Sequence, residues 1–150
     1  MPIKLEVTQT GLRVGFTGLD RAAACRRSLD VPFERVVGSR VMSRADAVAS
    51  SPLLPCPGSW WPGRLRVGSW GIGERRQLWG VHGGAEAVVV YLSGRPFHRV
   101  VVEVDDCRQA HRLIDAALLR SKKCGARQSL RAVLGETGDE GFAVSSRRRR

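Results

Sequence analysis

Lysine is nearly missing from this 150-residue chain: of 25 basic residues only Lys4, Lys122 and Lys123 are lysine, and the other 22 are arginine. The formal charge of +11 and a pI near 11.1 point to polyanionic partners, an anionic bilayer or nucleic acid. Arginine in place of lysine, beside abundant Ala, Gly and Val, is also what GC-rich coding produces, and both readings stand. Long apolar runs are missing too. The longest, Ala87 to Leu92, is far too short to span a bilayer as a helix. The opening "MPIKLEVTQTG" alternates and carries no signal-peptide block. A cytoplasmic location is expected, with any membrane contact peripheral at the inner face.

Signatures of chemistry are absent as well. Cys25, Cys56, Cys107 and Cys124 form no C-x-x-C pair and have no histidine at zinc-finger spacing, so reduced thiols are expected. There is no H-E-x-x-H, no G-x-S-x-G and no G-x-x-x-x-G-K-[ST]. His82, His98 and His111 stand singly. Asp105 and Asp106 sit at a strand-to-helix junction, where capping a helix explains them better than acid–base work or a metal. Gly135, Gly138 and Gly141 have no strand before them and no helix after them, unlike a phosphate loop. No catalysis, metal or cofactor is expected.

What is present is one domain's worth of alternating segments, with 43% hydrophobic residues. Ile3, Leu5 and Val7, then Leu12, Val14 and Phe16, predict a hairpin around Gln9-Thr10-Gly11. Further strands are expected at Arg27–Val31, ended by Pro32, and at Arg35–Met42, with Gly38 a bulge. The last four are Arg64–Trp70, Arg75–Val81, "AVVVYL" and "HRVVVEV", with turns at Gly71-Ile72-Gly73 and Ser93-Gly94-Arg95-Pro96. One helix follows, capped by Asp106 with Gln109 three residues on. Its stripe is Ala110, Leu113, Ile114, Ala117 and Leu118, predicted to be buried together. Residues 45–63 hold four prolines and read as a long loop without an element, either functional or mobile. After Arg120 periodicity is lost, and 121–150 reads as a basic, disordered tail with at most a helical turn near Gln128–Leu134. The domain is therefore 1–120.

Two stretches carry the binding candidates. "PGRLRVGSWGIGERRQLW" sets Arg64, Arg66, Arg75 and Arg76 among Trp70 and Trp79. Either these form a surface for an anionic partner, or they are two strands with arginine outside and tryptophan inside. Alternation favours the second, with Leu65, Val67 and Trp79 inward and Arg64, Arg66 and at least one of Arg75 and Arg76 exposed on a connected surface. The loop offers Leu53, Leu54, Trp60 and Trp61, which would suit a membrane interface or a partner, or would fold back over the core. Arg147, Arg148, Arg149 and Arg150 would give weak, salt-sensitive attraction to lipid or nucleic acid.

Strands followed by one amphipathic helix, together with "SLDVPFERVVGSRVMSRADA", "PGSWWPGRLRVGSW", "RQLWGVHGG" and "RVVVEVDDCRQAHRLI", resemble the bacterial pleckstrin-homology (PH)-like proteins of GC-rich bacteria. The resemblance spans roughly residues 3–120. It implies a mainly β fold, an antiparallel barrel of seven or eight strands capped by a C-terminal amphipathic helix. It also implies a non-enzymatic binding module for a protein partner or the inner membrane surface. The runner-up is a basic protein that binds nucleic acid nonspecifically through arginine.

Overall fold

The computed structural model of the chain describes residues 3–24, 27–51, 55–61 and 65–135. Alternation places Ile3, Leu5 and Val7 on one side of strand β1 (Ile3–Val7) and Leu12, Val14 and Phe16 on the same side of β2 (Gly11–Phe16). The register sets them opposite each other, Ile3 to Phe16, Leu5 to Val14 and Val7 to Leu12. Strand β3 (Ser28–Pro32) pairs with the far side of β2, completing a three-stranded sheet in the order β1-β2-β3. Proline at its end suits an edge. A short helix, α1 (Gly18–Ala23), intervenes without having been anticipated from the sequence.

The second sheet has six strands: β4 (Val36–Ser43), β5 (Pro55–Trp61), β6 (Leu65–Trp70), β7 (Gln77–Val81), β8 (Glu86–Leu92) and β9 (Arg99–Val102). Their order is β4-β8-β9-β7-β6-β5. The β8–β9 hairpin, turned by Gly94 at φ 76°, inserts between β4 and β7, so β7 and β9 run parallel. The register of β4 against β8 slips between Val36 and Gly38, where the bulge was expected.

The protein is thus mainly β with a C-terminal helix, but its strands hydrogen-bond as two sheets. Among the described residues there are nine strands, and none pairs one sheet with the other to close a barrel. Pro32, which lacks an N–H, and the 3-10 turn Phe33–Arg35 interrupt the ladder between β3 and β4. The sheets pack instead. Ile3, Val14 and Phe16 meet Leu78, Val88, Val90, Val100 and Val102 in one buried cluster. At Gly80 they approach closely, since a Cβ there would collide with the Ile3 side chain.

Residues 45–63 are not a structureless loop. Ser43 accepts a bond from Asp46 N at 3.1 Å and starts helix α2 (Arg44–Ala49). Strand β5 then takes the outer edge of the six-stranded sheet, where prolines remove no ladder bond that the sheet needs. Its register against β6 is irregular between Pro55 and Gly58.

Helix α3 (Cys107–Gly135) starts as predicted, with Asp106 Oδ1 accepting from Gln109 N at 2.8 Å. Ile114 and Leu118 are buried and Ala110 and Ala117 pack beside them, but Leu113 is 49% exposed. At about 100° per residue Leu113 points roughly 100° away from Ile114, at the margin of the stripe. The helix also continues past Arg120 to Gly135, where a disordered tail was expected. Leu119–Gly135 is rich in Ala, Leu, Arg, Lys and Gln, so intrinsic propensity sustains it after the apolar periodicity ends. Residues 136–150 lie outside the described residues. No helix among those described is long and apolar enough to cross a membrane.

Candidate functional site

The arginine–tryptophan stretch forms two strands with Val67 and Trp79 inward, as expected, but not with Arg66 outside. Trp79 is fully buried, as expected, but Arg66 is only 9% exposed where solvent was predicted. The cause is that both faces of β6 are covered. Val67, on the opposite face of β6, is buried, while Arg66 shares the second face with Trp70, Trp79 and Val81. Alternation separates two faces; it cannot say which is wet when neither is. The Arg66 guanidinium lies 3.8 Å from the Trp70 ring centroid and 4.4 Å from that of Trp79. Its Nη1 donates to Ser51 Oγ. Arg99, 4% exposed, donates from Nη1 to Ser50 O at 3.2 Å and Ser50 Oγ at 2.9 Å. The two cations therefore meet the carbonyl end of α2 and the faces of aromatic rings. Burial, then the neighbouring Arg99 charge, pull Arg66 down to about 10, and burial lowers Arg99. Arg66 still carries its charge at neutral pH.

Of the other arginines in that stretch, Arg75 is exposed and Arg76 is half-buried, its guanidinium 5.3 Å from the Phe97 ring centroid. Arg64 lies outside the described residues, as do Leu53, Leu54 and Arg147–Arg150. So do the side chains of Leu65, Trp60 and Trp61, although their backbone is in strands. Arg75 meets the expectation that at least one of Arg75 and Arg76 is exposed. Arg66 belongs to the interior.

Two polar clusters escaped the sequence reading. Ser39 on β4 meets His111 and Asp115 on α3: Ser39 Oγ is 2.7 Å from His111 Nδ1 and donates to Asp115 Oδ1 at 3.0 Å. The trio is a clasp between sheet and helix. Elsewhere, the backbone N–H groups of His82, Gly83 and Gly84 converge on Glu103 Oε2 at 2.8, 3.0 and 2.8 Å. Such a nest would bind an anion, and here the chain's own buried carboxylate fills it. His82 Nε2 lies 2.8 Å from Asp20, tying α1 to the same turn. Among the described residues no group of three His, Cys, Asp or Glu side chains is placed to hold a metal ion.

An open groove of about 490 Å³ lies between β1 and the start of α3. All of Ile3–Val7 forms one wall; Gln109, Ala110 and Leu113 form the other, over Val104–Asp106. Among the described residues β1 pairs with β2 alone, so its outer backbone edge faces this groove. The other three edge strands are blunted: β3 ends at Pro32, β5 carries Pro55 and Pro57, and β4 is bulged. β1 combines an unbroken register with the absence of proline within the strand. Leu5 is half-buried, and Val7 and Leu113 are exposed, giving an apolar lining. The rim carries Glu6, Asp105 and Asp106 against Lys4, an acidic balance on a chain of +11. Local sequence offers a proline-free strand and a leucine at the margin of its helix stripe, but that the two meet is set by the fold.

No family model, no curated protein and no solved structure matches this chain.

Proposed function

We propose that this chain is a non-enzymatic, PH-like protein-interaction module that receives an extended, basic–apolar peptide strand along β1. What carries the reading is the regular, unblunted edge of β1 facing an apolar groove with an acidic rim. An added strand gains main-chain hydrogen bonds from the β1 edge, while alternate side chains sink toward Leu5 and Leu113. Basic residues on the other face meet Glu6 and Asp105. The membrane and nucleic-acid alternatives rest on the charge of +11, on Arg75 and Arg76, and on residues outside those described; Arg66 is interior, so no arginine cluster among the described residues supports them as directly as the β1 edge supports a peptide.

The test uses two synthetic ten-residue peptides, one alternating valine with arginine and one alternating valine with glutamate. The first should bind, and amide resonances of residues 3–7 and 105–113 should shift; the second should not. Leu113→Glu together with Leu5→Glu should abolish the response. Equal binding of both peptides, or shifts centred elsewhere, would refute the groove.

A further inference from the structure

The chain carries a segment with the chemistry that the groove asks for. Phe142 and Val144, two residues apart, would share one face of an added strand, and Arg147–Arg150 follow in the sequence. We propose that residues 142–150 of one copy dock on the β1–α3 groove of a second copy, an inference that rests on the peptide-strand reading above. Phe142 and Val144 meet the apolar lining at Leu5 and Leu113, and the arginines face Glu6, Asp105 and Asp106.

Reach decides between docking within a copy and docking between copies. Helix α3 begins at the groove and runs away from it, and residues 122–127 are all exposed, so that stretch stands clear of the sheets. Leu113 and Gly135 are separated by about 33 Å of helix at 1.5 Å per residue. From Gly135 to Phe142 the chain spans at most about 25 Å when fully extended. Phe142 therefore falls short of its own groove, while the projecting helix carries it toward a neighbour's.

The experiment is complementation with the full chain. A tail variant, Phe142→Ser with Val144→Ser, keeps the groove; a groove variant, Glu6→Arg with Asp105→Arg, keeps the tail and leaves the Asp106 cap untouched. Thermal melts check that both fold, which exposure of Glu6 and Asp105 favours. Sedimentation velocity should show the unaltered chain associating with concentration and dissociating with salt. Each variant alone should associate at least about tenfold more weakly, as for loss of central interface contacts. Mixed together, the two should form a complex, since one supplies a groove and the other a tail. An unaltered chain that stays monomeric, variants that associate undiminished, or a mixture no better than its parts would each overturn the proposal. The valine–arginine peptide separates the failures. If it binds the tail variant while the chain does not self-associate, the module stands and only self-docking falls; if it does not bind, both fall.

Discussion

The two faces of the six-stranded sheet bury side chains in different ways. Toward the three-stranded sheet and α3 the layer is apolar: Leu78, Val88, Val90, Val100, Val102 and Ile114, with Phe97 at its margin. On the opposite face Trp70, Trp79, Val81, Val89 and Val101 cluster under α2, and two guanidiniums share the layer. A cation leaves water at a steep cost unless something replaces its hydration. Here ring faces and the carbonyl end of α2 do so, along with the Ser50 and Ser51 hydroxyls. Arginine suits this better than lysine, because its flat and weakly hydrated head stacks on a ring while its edge still donates.

The largest expected effect is on the second face. Trp79→Ala removes a fully buried ring that also supports Arg66, and should cost about 3–5 kcal/mol in a chemical melt. A loss under about 1 kcal/mol would mean that this face is a surface and that the arginines solvate themselves. On the first face Ile114→Ala should cost about 2–4 kcal/mol, whereas Leu113→Ala, one residue away and half exposed, should cost less than about 1 kcal/mol. Equal losses at the two positions would place Leu113 in the core and close the groove.

Arg66 sharpens the contrast. Arg66→Ala should cost about 2 kcal/mol through lost stacking and packing. Arg66→Met fills the same slot without a charge to desolvate, and should restore most of that loss. If methionine is as damaging as alanine, the charge itself holds the layer together.

How much of this was legible follows from what each signal measures. The β1–β2 hairpin, the Gly38 bulge and the Asp106 cap were readable because each is written in neighbouring residues. The Arg66 side was misread because period-two alternation reports a difference between faces, and here both faces are covered. The four prolines of 45–63 hid β5, since proline argues against a central strand and says little about an edge. Helix α3 beyond Arg120 was lost because amphipathic period was sought where only propensity remained. The parallel β7–β9 pair and the β1–α3 groove depend on which strands become neighbours. That is a property of the whole chain, and no window of it carries the information.

The smallest effect probes the apolar face through a thiol. Cys107 is buried in the first cluster, while Cys124 on the projecting part of α3 is exposed. Burial pushes the Cys107 thiol above its ordinary value of 9.0, and the carboxylates of Glu86, Glu103 and Asp106 push the same way. A raised value means that the folded chain holds this proton after the unfolded chain has released it. Below pH 9 the group makes no difference to stability; as pH rises past that value the unfolded state binds fewer protons, and stability falls. Cys107→Ala should therefore flatten the alkaline limb of a stability–pH curve, by about 1 kcal/mol or less for each pH unit above 9. Iodoacetamide at neutral pH, read by peptide mass, should label Cys124 well before Cys107, since the thiolate is the attacking species and access is needed as well. If Cys107 is labelled as fast as Cys124, the start of α3 opens to solvent in the native state, and the face assigned as dry is not dry there.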